Sequence, residues 1–183
     1  PSKYKSLRSH FWHYTDDSRT GILPFVFEDS FNFETYTDYA LNVPMYFIRR
    51  NNKYIDMTGL TFNDFLKGKK NKLNKNYEPK YDDWTDHLTT LFPQIRLKQY
   101  LEIRSMDACS WNEICAPAAF WTGILYDEIS FEETYELIKE WSHEDRFYFN
   151  KNVAIDALNT SYNDKNLLDI SKKRLLCLGL IAC

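Results

Sequence analysis

Residues 95–107 read IRLKQYLEIRSMD, and Arg96, Lys98, Tyr100, Glu102 and Arg104 fall on every second position. Ile95, Leu97, Gln99, Leu101 and Ile103 fill the places between them. A period of two puts alternate side chains on opposite faces of a strand. The spacing predicts a strand over 95–104 with one mainly apolar face. The other face would carry three cations, a phenol and the carboxylate of Glu102. Guanidinium groups grip carboxylate or phosphate through a planar fork. A carboxylate among cations stays ionised and can hold Mg²⁺. Such a face suits a magnesium nucleotide and an anionic substrate. It equally suits a solvated sheet laced by cross-strand ion pairs, and alternation alone does not choose.

Two further stretches carry groups capable of chemistry. In RSHFWHYTDDSRTG (8–21), Arg8 could clamp a carboxylate; His10, His13, Asp16 and Asp17 have the residue types of a metal site, or of a loop anchored by Trp12. In VPMYFIRR (43–50), Tyr46 points either to a ligand or into the core. No G-x-S-x-G, Walker A or G-x-G-x-x-G occurs, so no nucleophile elbow or phosphate loop is present.

The elements that must position these groups follow from local signals. Residues 1–23 read as a loop or edge segment, and LPFVFE as a short strand. Phe33, Tyr36, Ala40 and Leu41 have helical spacing, ended by Pro44. MYFIRRNNKYIDMTG reads as a hairpin turning at Asn51-Asn52. Thr61 and Asp64 form a capping box for a short helix that Gly68 stops. KKNKLNKNYEPK (69–80) is a basic solvated loop, and YDDWTDHLTTLF a helix stopped before Pro93.

Helices dominate after residue 110. WNEICAPAAFWTGILYD is apolar nearly all round and is expected to be buried, with Pro117 kinking it or marking its start. SFEETYELIKEWS opens on a Ser130–Glu133 capping box; SHEDRFYFNKNVAIDAL and the apolar tail LLDISKKRLLCLGLIAC are further helices. Hairpins followed by helices predict an α+β fold, an antiparallel sheet covered on one face by helices. The expected organisation is a single partial domain over 1–183, with strands at about 24–104 and a helical layer at about 111–183.

The 183 residues suffice for one core, and 44% of them are hydrophobic, which excludes a disordered chain. A net charge of −3 gives no basic field for nucleic acid. No apolar run spans a bilayer and no signal-peptide core appears at the start, so no membrane association and a cytoplasmic location are expected. Cys109, Cys115, Cys177 and Cys183 form no C-x-x-C pair and read as free thiols.

The phrases SLRSHFW, YALNVPMYF, HLTTLFP and RLKQYLEIR, in this order, resemble the plant and proteobacterial type of glutamate–cysteine ligase from about residue 6 to about 160. The resemblance implies a glutamine-synthetase-like fold and an ATP- and Mg²⁺-dependent carboxylate–amine ligase. Such an enzyme joins the γ-carboxylate of glutamate to the amine of cysteine, the first step of glutathione synthesis. It implies Arg8, Tyr46, Arg96 and Lys98 as substrate-binding residues, Glu102 as a Mg²⁺ ligand and Arg104 as the catalytic cation.

The family's Gly-Gly-Pro-Trp turn is replaced here by Ala108-Cys109-Ser110-Trp111. Cys115 matches a cysteine of the family's regulatory disulfide whose partner lies upstream of this chain. Met57 stands at the first cysteine position of a second one. The chain matches less than half of such a ligase. It is therefore expected to be inactive alone, completed by a complementary chain or by self-association. The alternative is a non-catalytic remnant that only binds a partner.

Overall fold

The computed structural model describes residues 3–70 and 77–172. The central part of the predicted basic loop and the end of the predicted apolar tail, with Cys177 and Cys183, lie outside them. The chain divides into two compact units, Thr15–Ser105, and Pro1–Tyr14 together with Met106–Cys183. Helices and small two-stranded pairings make up both, an α+β composition.

In the Thr15–Ser105 unit, the strands Phe47–Arg50 and Lys53–Asp56 pair antiparallel. Asn51 and Asn52 carry the turn at φ 49° and 59°, the left-handed region that asparagine tolerates. Thr61 and Asp64 exchange side-chain-to-backbone bonds around the helix Phe62–Leu66. Its Phe62 and Phe65 pack with Met45, Ile48, Met57 and Leu60 as the core, against Trp84. Asn32 caps the helix Phe33–Asn42, which ends before Pro44.

The helix Tyr81–Thr89 is fastened by ions rather than by its apolar face alone. Arg50 donates from Nη1 to Asp83 Oδ1 at 2.6 Å and from Nη2 to Oδ2 at 2.7 Å. The Lys80 amide donates to the same carboxylate at 2.9 Å. The carboxylate of Asp83 is thus buried but fully engaged, the condition under which a buried charge is tolerated.

Several sequence expectations are corrected. The 95–104 stretch is not one strand: Ile95–Leu97 and Leu101–Ile103 form an antiparallel hairpin, in register Arg96↔Glu102. Same-face placement of Arg96 and Glu102 survives, because directly opposed residues share a face. LPFVFE is not a strand either. Pro24 presets φ at the start of a 3₁₀ turn, Pro24–Phe27. Phe92–Pro93 pairs instead with Thr20–Gly21, in parallel.

In the other unit, the predicted leading loop contains a helix, Leu7–Trp12, whose cap Ser6 accepts from the Ser9 amide at 3.0 Å. The amides of Lys5 and Ser6 both donate to Ala154 O, at 2.8 and 3.0 Å. Pro117 marks the start of the helix Ala116–Tyr126, not a kink. That helix is not buried all round: only Gly123 and Ile124 are. The next helix, Glu128–Ile138, begins earlier than its expected box, because Asp127 rather than Ser130 supplies the cap. Ser142 and Asp145 cap His143–Asp156 as a full box. Among the described residues no helix is long and apolar enough to cross a membrane.

His87 is buried (2% exposed) and stacks on Phe62, with ring centroids 5.3 Å apart. Its Nε2 lies 2.8 Å from Ala40 O. A carbonyl only accepts, so Nε2 carries a proton and donates it to Ala40 O. Burial pushes its pKa below the usual value, opposed by the bond to Ala40 and reinforced by the charge of Arg19. Below the unfolded pKa of about 6.5, the unfolded chain takes up a proton that the native chain resists, so stability falls as pH falls. Urea unfolding should therefore lose midpoint between pH 7 and 5.5. In His87→Gln the slope should flatten, with roughly 1–2 kcal/mol lost at pH 7. Parallel pH profiles would contradict the assignment.

Candidate functional site

The hairpin at 95–103 holds the chemically capable groups, in an arrangement opposite to a wet polar face. Arg96 is buried, at 7% exposed. Ile95 and Leu101 are exposed at 49% and 69%. With Leu97 they line an open apolar recess of about 650 Å³, together with residues of 21–36 such as Leu23, Phe27 and Tyr36. The Leu97 amide donates to Tyr36 Oη at 3.1 Å, fixing the hairpin to the helix Phe33–Asn42.

Burial of Arg96 is tolerated because every nitrogen of its guanidinium has an acceptor. Nε donates to Glu102 Oε2 at 2.8 Å, and Nη2 reaches the same oxygen at 2.6 Å. Nη1 donates to Thr89 O at 2.6 Å and Leu91 O at 3.0 Å. The other oxygen of Glu102, Oε1, accepts from Arg104 Nη1 at 3.2 Å. Burial raises the pKa of Glu102, but the bond and charge of Arg96, with Arg104 and Lys98 adding to them, hold the carboxyl below its ordinary range.

Each predicted site residue can now be placed. Glu102 and Arg104 share a face and touch, as the alternation requires. Arg104 also lies near Phe92, its guanidinium 5.5 Å from the ring centroid. Lys98 turns toward Tyr100, with Nζ 3.4 Å from the phenol oxygen. Tyr46 is half-exposed at 38%, beside the buried Arg19. Arg8 belongs to the other unit, on the helix Leu7–Trp12, with its guanidinium 5.4 Å from the Trp12 ring.

The histidines and aspartates of 8–21 are dispersed. His10 stacks on Tyr4, His13 faces Asn150 O at 3.1 Å, and Asp16 accepts from Ser18 and Arg19. Sequence reasoning missed Arg19. Its one signal was membership of the DSRTG phrase, because an arginine in a polar stretch reads by default as surface.

Among the described residues no group of three or more His, Cys, Asp or Glu is placed to hold a metal. Glu102 offers one carboxylate, and both of its oxygens are already engaged by guanidinium donors. These residues therefore do not make a Mg²⁺ site by themselves. What the array can do is hold cationic charge fixed on the face of the hairpin opposite to the one that lines the apolar recess.

A family model described as glutamate-cysteine ligase family 2 (GCS2) matches residues 1–181. The chain belongs to that family. It is 47% identical over 175 residues to glutamate–cysteine ligase A, chloroplastic, of Oryza sativa subsp. indica, covering 96% of this chain and 35% of the relative. Over 172 residues it is 47% identical to the chloroplastic ligase of Nicotiana tabacum and 48% identical to that of Arabidopsis thaliana, covering 94% of this chain and 33% of each relative. This member of the family thus spans about a third of the length of the curated relatives it matches. The expected cytoplasmic location is overturned by the same comparisons: these relatives are named as chloroplastic proteins. Composition and a missing signal core carry no information about a plastid address.

Glu102→Gln should destabilise the chain by roughly 1–3 kcal/mol at pH 7, because it leaves buried Arg96 without its counter-ion. The native pKa of Glu102 is lowered, so its contribution is complete above the unfolded value of about 4.3 and is lost as pH falls through the native one. The gap between wild type and variant in urea unfolding should close on acidification. Lys98→Ala should stay within about 0.5 kcal/mol. A gap that persists undiminished in acid would contradict the ion-pair account.

Proposed function

We propose that this chain supplies part of the cationic wall of a glutamate–cysteine ligase, on a glutamine-synthetase-like fold. The observation that carries the reading is the Arg96–Glu102–Arg104 array on one face of the hairpin, in a chain of this family. The reaction is ATP-dependent formation of γ-glutamylcysteine. The γ-carboxylate of glutamate attacks the γ-phosphorus of ATP and ADP leaves. The cysteine amine then attacks the acyl phosphate, loses a proton and expels phosphate.

Charge in such a transfer spreads over the phosphoryl oxygens, and fixed cations stabilise it most in a water-poor site. Arg104 is the catalytic cation in this reading. Glu102 is its anchor, since the carboxylate fixes where the guanidinium points. Lys98 is a second cation for an anionic substrate, Tyr46 a wall of the amino-acid pocket, and Arg8 a carboxylate clamp. Arg96 acts through Glu102 rather than on substrate. Mg²⁺, which the activity of such ligases implies, needs carboxylates beyond Glu102. Those ligands, and the rest of the nucleotide site, are to be supplied by a complementary chain or a second copy.

A non-catalytic remnant is the second reading. It is supported by the lone carboxylate of the array being consumed by arginines.

Release of ADP dependent on both glutamate and cysteine separates the two. The folded chain alone, with ATP and Mg²⁺, should release none. Co-expression with the part of a curated relative that this chain does not match should restore it. Arg104→Lys should then lower kcat by about a hundredfold, a typical loss for one transition-state donor. A soluble, assembled pair that never releases ADP, or one indifferent to Arg104→Lys, would contradict the ligase reading.

A further inference from the structure

Arg19 is a buried cation, 1% exposed, whose guanidinium carbon lies 3.7 Å from the centroid of the Tyr46 ring. Each of its three guanidinium nitrogens has an acceptor. Nε donates to Asp16 Oδ2 at 2.7 Å, Nη1 to Thr90 Oγ1 at 3.3 Å and Thr90 O at 3.4 Å, and Nη2 to Pro44 O. With each nitrogen held in the plane by an acceptor, the flat face of the guanidinium is turned to Tyr46.

The backbone around Tyr46 is pinned as well. Met45 donates to Leu60 O at 2.8 Å, and Tyr46 O accepts from the Met57 amide at 3.0 Å. One face of the phenol ring is therefore fixed against a rigid cation, while the side chain keeps 38% of its surface open. Lysine cannot replace this geometry, since an ammonium has neither a planar face nor a fork that reaches three segments at once.

We propose that Arg19 is a positioning residue: it holds the Tyr46 ring at a fixed angle so that the open face can receive an amino-acid ligand. Arg19 itself does not touch that ligand. The proposal rests on the reading of Tyr46 as part of the ligase's amino-acid pocket. It adds a residue from the far side of the ring, brought there by the helix end at Thr90 and the turn at Pro44.

The experiment uses the 183-residue chain, labelled with ¹⁵N, in two arms. In the first, an arginine Nε–H resonance should be displaced upfield by the Tyr46 ring current. Tyr46→Phe should preserve the displacement and Tyr46→Leu should abolish it, at a solvent-open position that tolerates substitution. A displacement that is absent, or that survives Tyr46→Leu, overturns the clamp.

In the second arm, glutamate and cysteine are titrated separately. Arg19→Lys and Tyr46→Leu should each weaken the same amino acid by about tenfold, and the double variant should be no weaker than Tyr46→Leu alone, since coupled residues are non-additive. Additive losses would mean that Arg19 acts by general packing, and would overturn the proposal. Unaltered binding in Tyr46→Leu, or no binding by wild type, with the resonance shift intact, overturns the ligase reading of Tyr46 and the ligand role given to the clamp. The Arg19–Tyr46 contact would then stand on its own.

Discussion

Two buried guanidiniums meet at the C-terminal end of the helix Tyr81–Thr89, and the Thr15–Ser105 unit depends on that meeting. A helix ends with carbonyls that have no partner within it, and its dipole makes that end negative. Arg19 takes Thr90 O, and Arg96 takes Thr89 O and Leu91 O. Each then ties in a distant segment, Arg19 the turn at Pro44 and Arg96 the hairpin through Glu102. The arrangement is unforgiving. Removing the carboxylate partner leaves a buried cation uncompensated, at roughly 1–3 kcal/mol, a large share of the stability of a small unit.

The division of labour at the hairpin follows from this constraint. The register Arg96↔Glu102 puts cation and carboxylate directly opposite each other, so Arg96 is spent on the fold. In the proposed reading, Arg104 and Lys98 are the charges that meet a substrate. Their position is inherited from the helix end, because Glu102 links Arg96 to Arg104. Apolar groups hold the more exposed side, with Ile95 and Leu101 in the wall of the recess. A hairpin with a cation inside and aliphatic groups outside is stable only because carbonyls of another element satisfy the cation.

Features encoded over a few residues were legible in the sequence. The Asn51-Asn52 turn and the capping box at Thr61/Asp64 each depend on a local backbone demand. Family membership was legible for a different reason, long phrases in a fixed order. Features decided by distant partners were not legible. Lys98-Gln99-Tyr100 contains no Gly, Pro or Asn, so nothing marked the reversal that divides 95–104 into two strands. Burial of Arg19 and Arg96 depends on carbonyls at 44 and at 89–91, which no local pattern announces. The helix Ala116–Tyr126 shows the converse: its composition declares an apolar surface, but composition does not say how much of that surface is covered.

Native-state hydrogen exchange tests most directly whether the two guanidiniums join helix end, turn and hairpin into one cooperative unit. The amides to follow are Met45, Phe92 and Leu97, each bonded across a junction in this unit, and Arg104, bonded to Gln94 O at the open end of the hairpin. If the account is right, the four exchange with a common opening free energy, and Arg96→Met lowers it for all of them together. Hairpin amides at Leu97 and Arg104 that open independently of Met45 and Phe92, with Arg96→Met affecting the hairpin alone, would contradict it.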